Sequence, residues 1–435
     1  MLNSGDTAWM LVSTALVLLM MPGLALFYGG LVRSKNVLST FMHSFVVLGL
    51  VTLQWVVVGY SLAFGPDHGG LIGGLSFAFM RGVTLVPRQG DSIPHMLFFA
   101  YQMMFAIITP ALISGAYAER LKFSAYALFT LLWATLVYDP LAHWVWGSGG
   151  WMASMGVLDF AGGIVVHISS GVSALVVALV VGKRLGYPRE RSIPHNLTMV
   201  LLGAGVLWFG WFGFNGGSAG AASGTAVLAL VNSQLAAAAG GMAWLLIDVY
   251  RYGKASALGF ASGLVAGLAT VTPASGFVGP MGAIAIGCAA GLACYGAVML
   301  KAKFNYDDTL DAFGVHGVGG AVGTILLGVF AAKAWNSSGA DGLIAGNAAF
   351  LGKQVLAVVV TIAFSVAGTL AILKFVDAVV GLRVSADEER EGLDINLHGE
   401  EGYSIGNSSF GRPEVFATAK DVEERAPKTS SVPVA

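Results

Sequence analysis

Residues 160–182 read FAGGIVVHISSGVSALVVALVVG, closed by Asp159 on one side and by Lys183 and Arg184 on the other. The run holds no Asp, Glu, Lys or Arg. As a helix it is long enough to cross the roughly 30 Å hydrocarbon core of a bilayer. His167 is its one ionisable side chain, and an ionisable residue inside such a run faces the bundle interior or a pathway rather than lipid.

Working outward, charges and clusters of Gly, Pro and Asn cut the chain into eleven such runs, at roughly 9–31, 40–64, 96–118, 124–142, 160–182, 196–214, 226–247, 256–273, 277–300, 312–332 and 351–376. The stretch from Ser192 to Ile247 carries no Asp, Glu, Lys or Arg and is divided at Asn215-Gly216-Gly217. The composition agrees. Of 435 residues, 56% are hydrophobic and only 11% charged, and the mean hydropathy is +0.75. A soluble domain carries about 25% charged residues. The 60 glycines sit inside apolar runs, where they let helix backbones approach closely. The net charge of -1 gives no electrostatic footprint for nucleic acid. Cys288 and Cys294 lie about 9 Å apart along one helix, beyond the roughly 7 Å limit for a disulfide. The start, Met1 to Trp9, lacks the basic region of a signal peptide and carries Asp6, so the first run is expected to be retained.

Basic residues set the expected orientation. The loops after spans 1, 3, 5, 7 and 9 carry Arg33 and Lys35, then Arg120 and Lys122, then Lys183, Arg184, Arg189 and Arg191, then Arg251 and Lys254, then Lys301 and Lys303. The opposite loops carry only Arg81, Arg88, Lys333 and Lys353. The N-terminus is therefore expected outside and the C-terminus in the cytosol, in the inner (cytoplasmic) membrane. The division is a transmembrane domain over 1–380 and a cytosolic tail over 381–435, with 406–435 expected to be largely disordered.

Spans 1–5 and 6–10 share landmarks in the same order. Phe27-Tyr28-Gly29-Gly30 matches Phe214-Asn215-Gly216-Gly217. Thr109-Pro110-Ala111 matches Thr272-Pro273-Ala274. Asp159, Phe160 and His167 match Asp311, Phe313 and His316. Five is odd, so the second half enters from the other side, and span 11 falls outside the repeat. Such inverted repeats place a transport pathway at their interface. The fold class is thus all-α and polytopic, with eleven transmembrane helices.

The repeat puts His167 and His316 at equivalent positions, where they can meet. A neutral imidazole has one donor and one acceptor nitrogen, so a pair can share a proton and still offer a polar edge to a small molecule. The bland alternative is two unconnected residues, each bonding a carbonyl between helices. Asp159 reads as a helix N-cap that also attracts a cation, and Asp311 as its mirror image. Tyr101, Phe105, Trp144, Trp146, Trp208, Trp211 and Phe214 cluster towards the outer ends. An interfacial belt accounts for most of them. A π-cage for a small cation is the functional reading, with Ser218 adding a hydroxyl acceptor.

The strings Phe27 to Arg33, Pro140 to Gly147, Asp159 to His167, Trp211 to Asn215, Asp307-Asp308 and Phe313 to Gly317 together resemble the ammonium transporters of the Amt/Mep/Rh class, on the bacterial Amt side. The likeness runs through all eleven spans into the tail. It implies an outer recruitment site of Phe105, Trp146 and Ser218, with Tyr101 where many members have Phe. It implies a gate of Phe105 on Phe214, and twin pore histidines at 167 and 316 with Thr272 close by. Asp159 would be the acidic residue beneath the recruitment site, and the assembly a homotrimer with one pore per subunit. The tail, from Gly381 to Ser385 and on through His398-Gly399-Glu400, resembles the family's regulatory tail, which communicates with PII signal proteins. Gly402, standing where many members have Ala, is expected to loosen the turn before Tyr403.

These readings converge on an ammonium transporter or channel with methylammonium as analogue, no cofactor and no metal. An ion in an apolar lumen faces a desolvation cost of at least several kcal/mol, against about 2 kcal/mol from a cation–π cage. The ion is therefore expected to lose its proton at the mouth. Three rivals remain: an ammonium sensor signalling through the tail, a membrane enzyme with histidine-ligated haem, and a neutral-solute channel.

Overall fold

The structure, a computed structural model, describes residues 1–190 and 193–403; the stretch 406–435 lies outside the described residues. Among the described residues, eleven apolar helices form the body. They are α1 (Ser4–Leu31), α2 (Ser34–Phe64), α3 (His95–Tyr117) and α4 (Phe123–Trp133, continued through the π-helical turn Ala134–Tyr138 into Asp139–Trp146). There follow α5 (Gly163–Val181), α6 (Leu197–Gly217), α7 (Gly224–Tyr252), α8 (Ala257–Val271), α9 (Pro280–Phe304), α10 (Phe313–Phe330) and α11 (Ala348–Val380). Ten of them are long and apolar enough to cross a membrane, and α8 is a shorter apolar helix. The chain is a multi-pass, all-α membrane protein.

The starts are written in local chemistry. Asn3, Asn196, Ser223, Ser256 and Asn347 each accept a backbone N–H of the helix that follows, satisfying donors with no partner in the first turn. Gly253 and Asn305 end α7 and α9 in the left-handed conformation.

Helix α4 runs past its expected end at residue 142. The polar residues that suggested a boundary are paired inside the bundle. Asp139 accepts from Gln54 Nε2 at 2.7 Å. His143 sets Nδ1 against the Ala63 carbonyl and Nε2 against Asp67 Oδ1, each at 2.9 Å. Polarity satisfied by neighbours does not end a helix. Trp144 and Trp146 therefore belong to α4 rather than to a following loop.

Glycine governs how closely helices meet. A Cβ on Gly203 would stand against the backbone of Phe27, so α6 lies directly on α1, the first span of each repeat. The contact of α5 with α10 is reciprocal. A Cβ on Gly171 would strike Gly317 and His316, and one on Gly320 would strike Ile168 and His167. Each glycine lies four residues past the histidine of its own helix and touches the histidine turn of the other. That exchange is the signature of a pseudo-two-fold axis between the halves.

On the face with the basic loops, a buried ion network ties the helix ends. Glu119, after α3, accepts from Arg33 Nε, after α1, at 3.0 Å and from Arg184 NH1, after α5, at 3.0 Å. Arg184 also pairs with Asp307, after α9, at 2.8 Å. Burial alone would raise the Glu119 and Asp307 carboxyls, but the arginines outweigh it and hold both below their ordinary values.

The tail lies against this face. Residues Ala386–Glu391 form α12 and Asp394–His398 a π-helical turn. Asp394 accepts from Leu38 N at 3.0 Å and Ser39 N at 2.8 Å, so the tail caps α2. Gly402 packs tightly rather than loosening a turn: a Cβ there would collide with Val37. Next to it the Tyr403 hydroxyl meets His195 Nε2 at 2.9 Å.

Candidate functional site

Both histidines sit on irregular turns. Helix α5 opens with the π-helical turn Gly163–Ile168, and α10 with Phe313–Gly317. A π turn widens the helix and redirects one side chain, and such turns recur at functional sites. Each is held open by a carboxylate upstream. Asp159 accepts four backbone N–H groups, from Gly162, Gly163, Ile164 and Val165, at 2.7–3.1 Å. In the second half the same position belongs to Asp308, which accepts from Ala312 N at 3.1 Å and Phe313 N at 2.8 Å. This corrects the sequence reading, which assigned the mirror cap to Asp311. Asp159 stands eight residues before His167 and Asp308 eight before His316, whereas Asp311 stands only five before it. Asp311 instead pairs with Lys301, with φ at 61°.

The imidazoles of His167 and His316 meet as near-parallel rings, 5.2 Å between centroids and 13° between planes. Both nitrogens of His167 and Nδ1 of His316 are buried without a hydrogen-bond partner, so no hydrogen bond joins the rings. Their polar edges face a largely apolar wall that includes Met20, Leu24, Val166, Leu207, Phe214, Val265 and Val315. The cavity so enclosed measures about 20 Å³, room for roughly one water-sized molecule. It extends past the histidines to Asp311.

Above His167 the wall is aromatic. Phe105 and Phe214 stack at 4.3 Å and 29°, and Phe214 lines the cavity. The Trp146 ring stands edge-on to Phe105 at 6.0 Å, and its Nε1 donates to the Asp159 carbonyl at 2.8 Å. Tyr101 packs on Phe105 at 5.0 Å. Its hydroxyl reaches the Gly213 and Phe214 carbonyls at 2.9 Å and lies 3.2 Å from Ser218 Oγ. Ser218 itself donates to the Phe214 carbonyl at 2.8 Å, leaving its lone pairs available to a donor. The added hydroxyl at position 101 thus fastens α3 to the end of α6. Phe105 and Phe214 are buried, so their rings lie inside the bundle and not in an interfacial belt.

The expected residues are therefore brought close together, and two of them make contacts of their own. Thr272 lies behind the wall, where it accepts from Trp211 Nε1 at 2.9 Å and donates to the Leu268 carbonyl. Asp159 spends both carboxylate oxygens on backbone amides. Trp211, read from the sequence only as one of the aromatics towards the outer ends, places its ring over His167 at 5.6 Å and 23°. The spacing of eight before each histidine was the signal that locates Asp308.

The model of the Ammonium Transporter Family matches residues 8–403. The chain belongs to the Ammonium Transporter Family. Among its relatives, the ammonium transporter of Bacillus subtilis is 51% identical over 404 residues, covering 92% of this chain and 99% of that protein. Ammonium transporter Amt1 of Archaeoglobus fulgidus is 48% identical over 93% of this chain and the whole of its own length. The crystal structure of Mep2 from Saccharomyces cerevisiae superposes with a TM-score of 0.84 at 40% identity, over 89% of this chain and 90% of that one. A solved structure titled Sensor Amt Protein has the same TM-score at 32% identity, over 90% of this chain and 98% of its own. As a member of this family the chain is an ammonium transporter.

Proposed function

We propose that this transporter recruits ammonium at Phe105, Trp146, Ser218 and Tyr101, where the ion gives up its proton, and conducts ammonia past His167 and His316 while the proton crosses separately through the two imidazoles and water, so that transport moves charge. The observation carrying this is the pair of near-parallel imidazoles with unpartnered nitrogens, facing a lumen with room for about one water-sized molecule beside a stacked phenylalanine pair. Hydrated cations do not fit that lumen. The cage returns only about 2 kcal/mol, and full burial lowers an amine's pKa by as much as about 3–5. Ammonium has a proton to lose, and potassium has none. Asp159 acts by positioning: its carboxylate holds the His167 turn and its carbonyl holds the Trp146 ring. Thr272 positions Trp211 over His167. The face with the basic loops is cytosolic, the N-terminus lies outside the inner membrane, and the chain works as a homotrimer.

The tail over 381–435 regulates transport through a PII-type protein. A sensor role remains the second reading, since one close structural neighbour carries that title.

The test is methylammonium uptake into proteoliposomes. Competition by ammonium but not by potassium is expected, with Trp146→Leu raising KM about tenfold for the loss of a cation–π contact. Uptake that potassium blocks as well as ammonium does would overturn the reading, and folded protein without flux whose PII binding responds to ammonium would favour the sensor.

A further inference from the structure

The cavity that begins at the stacked phenylalanines ends on the Asp311 side chain, beyond both histidines. Among the described residues that carboxylate is the only acid along the lining, and it is occupied from within the protein. Lys301 Nζ donates to Asp311 Oδ1 and, at 2.8 Å, to the Asp308 carbonyl. Asp308 Oδ1 and Oδ2 are meanwhile committed to the first turn of α10. The lysine head is a primary ammonium bound by one carboxylate and one carbonyl oxygen. Those are the acceptors an ammonium ion arriving from the lumen would seek.

We propose that Asp311 and Lys301 form the inner release site, in which the lysine ammonium is a tethered competitor of the product. This rests on the reading above, in which ammonia traverses the lumen and regains a proton at the cytosolic end. Product ammonium meets the Asp311 carboxylate there. Without a rival it would lodge, because a charge-assisted hydrogen bond at a partly buried carboxylate is strong. Lys301 reclaims the carboxylate at once, since its effective concentration is fixed by the chain. The product then leaves, and the exit is not held by its own cargo. Among the described residues, Phe105, Trp146 and Ser218 at the other end hold no such resident cation, so the two ends differ in kind.

The experiment uses the full chain in proteoliposomes and measures the initial response to an outside ammonium pulse, with increasing ammonium chloride preloaded inside at constant pH. Wild type is expected to tolerate the internal salt. Lys301→Met is expected to be inhibited at about tenfold lower internal ammonium or less, the worth of one charge-assisted hydrogen bond. The double variant Lys301→Met with Asp311→Asn is expected to regain wild-type tolerance, which a merely structural role for the lysine would not produce. Should the Met variant fail to insert, Lys301→Gln keeps a donor for the Asp308 carbonyl without the charge and carries the same expectation. Equal tolerance in wild type and the single variant, with wild type still responding to the pulse, overturns the release site alone. Absence of any response in folded wild type overturns the transport reading on which it rests.

Discussion

At the scale of single residues, the histidines are held rather than merely present. Asp159 is the residue whose loss should be felt most, because four buried N–H groups depend on it. Asp159→Ala is expected to lower stability by at least about 2 kcal/mol, the upper range for losing a cap with orphaned donors left behind. Asp159→Asn, which keeps one acceptor oxygen, should lose roughly half as much. Thermal unfolding of detergent-solubilised protein checks both; equal melting temperatures for wild type and the alanine variant would contradict the assignment. Trp211→Phe keeps a ring over His167 but drops the bond to Thr272, at a cost of about 1 kcal/mol, and is expected to retain transport. Much of this was legible in the sequence. The histidines stood out because an ionisable side chain in an apolar run is rare. The role of Thr272 was not legible, because nothing in its tripeptide says that the hydroxyl faces an indole instead of the lumen.

Among elements, the reciprocal contact of α5 with α10 fixes the distance between the two imidazoles. Gly171 and Gly320 have no room for a side chain against the opposing histidine turns. Replacing Gly171 by Val forces the helices apart at an overpacking cost of about 1–3 kcal/mol, and is expected to abolish ammonium flux while leaving the helical content intact. Circular dichroism together with flux measurements checks this; unimpaired flux would show that the histidine spacing is not critical. The eleven spans and the repeat were readable because charge and glycine punctuate the apolar runs. The end of α4 was misread because Asp139 and His143 find partners on α2 and in the following loop, which are distant in sequence. The mirror cap was misread because landmark order was matched instead of spacing. The π turns leave no periodicity signal, so their presence under both histidines came only from the structure.

For the whole molecule, the Glu119–Arg33–Arg184–Asp307 network binds the ends of four helices on one face. Glu119 and Asp307 both have lowered pKa values, so they remain ionised and paired above the ordinary carboxylate range. Their contribution is lost as pH falls through their lowered values. The melting temperature is thus expected to stay level between about pH 8 and 5 and to drop below about pH 4. Glu119→Gln should flatten that acid slope and cost about 3–5 kcal/mol at neutral pH by leaving Arg184 short of a partner. An unchanged acid slope in the variant would remove Glu119 from the account. The network ties the helix ends on the face with the basic loops, whereas the proposed function turns on what crosses between the two histidines. The most direct test is the charge moved across a solid-supported proteoliposome membrane after an ammonium pulse, wild type beside His167→Ala. A transient current is expected in wild type, absent with potassium, that shrinks severalfold or loses its selectivity against potassium in the variant. A variant current equal to wild type in size and selectivity would contradict a role for the paired imidazoles in carrying the proton.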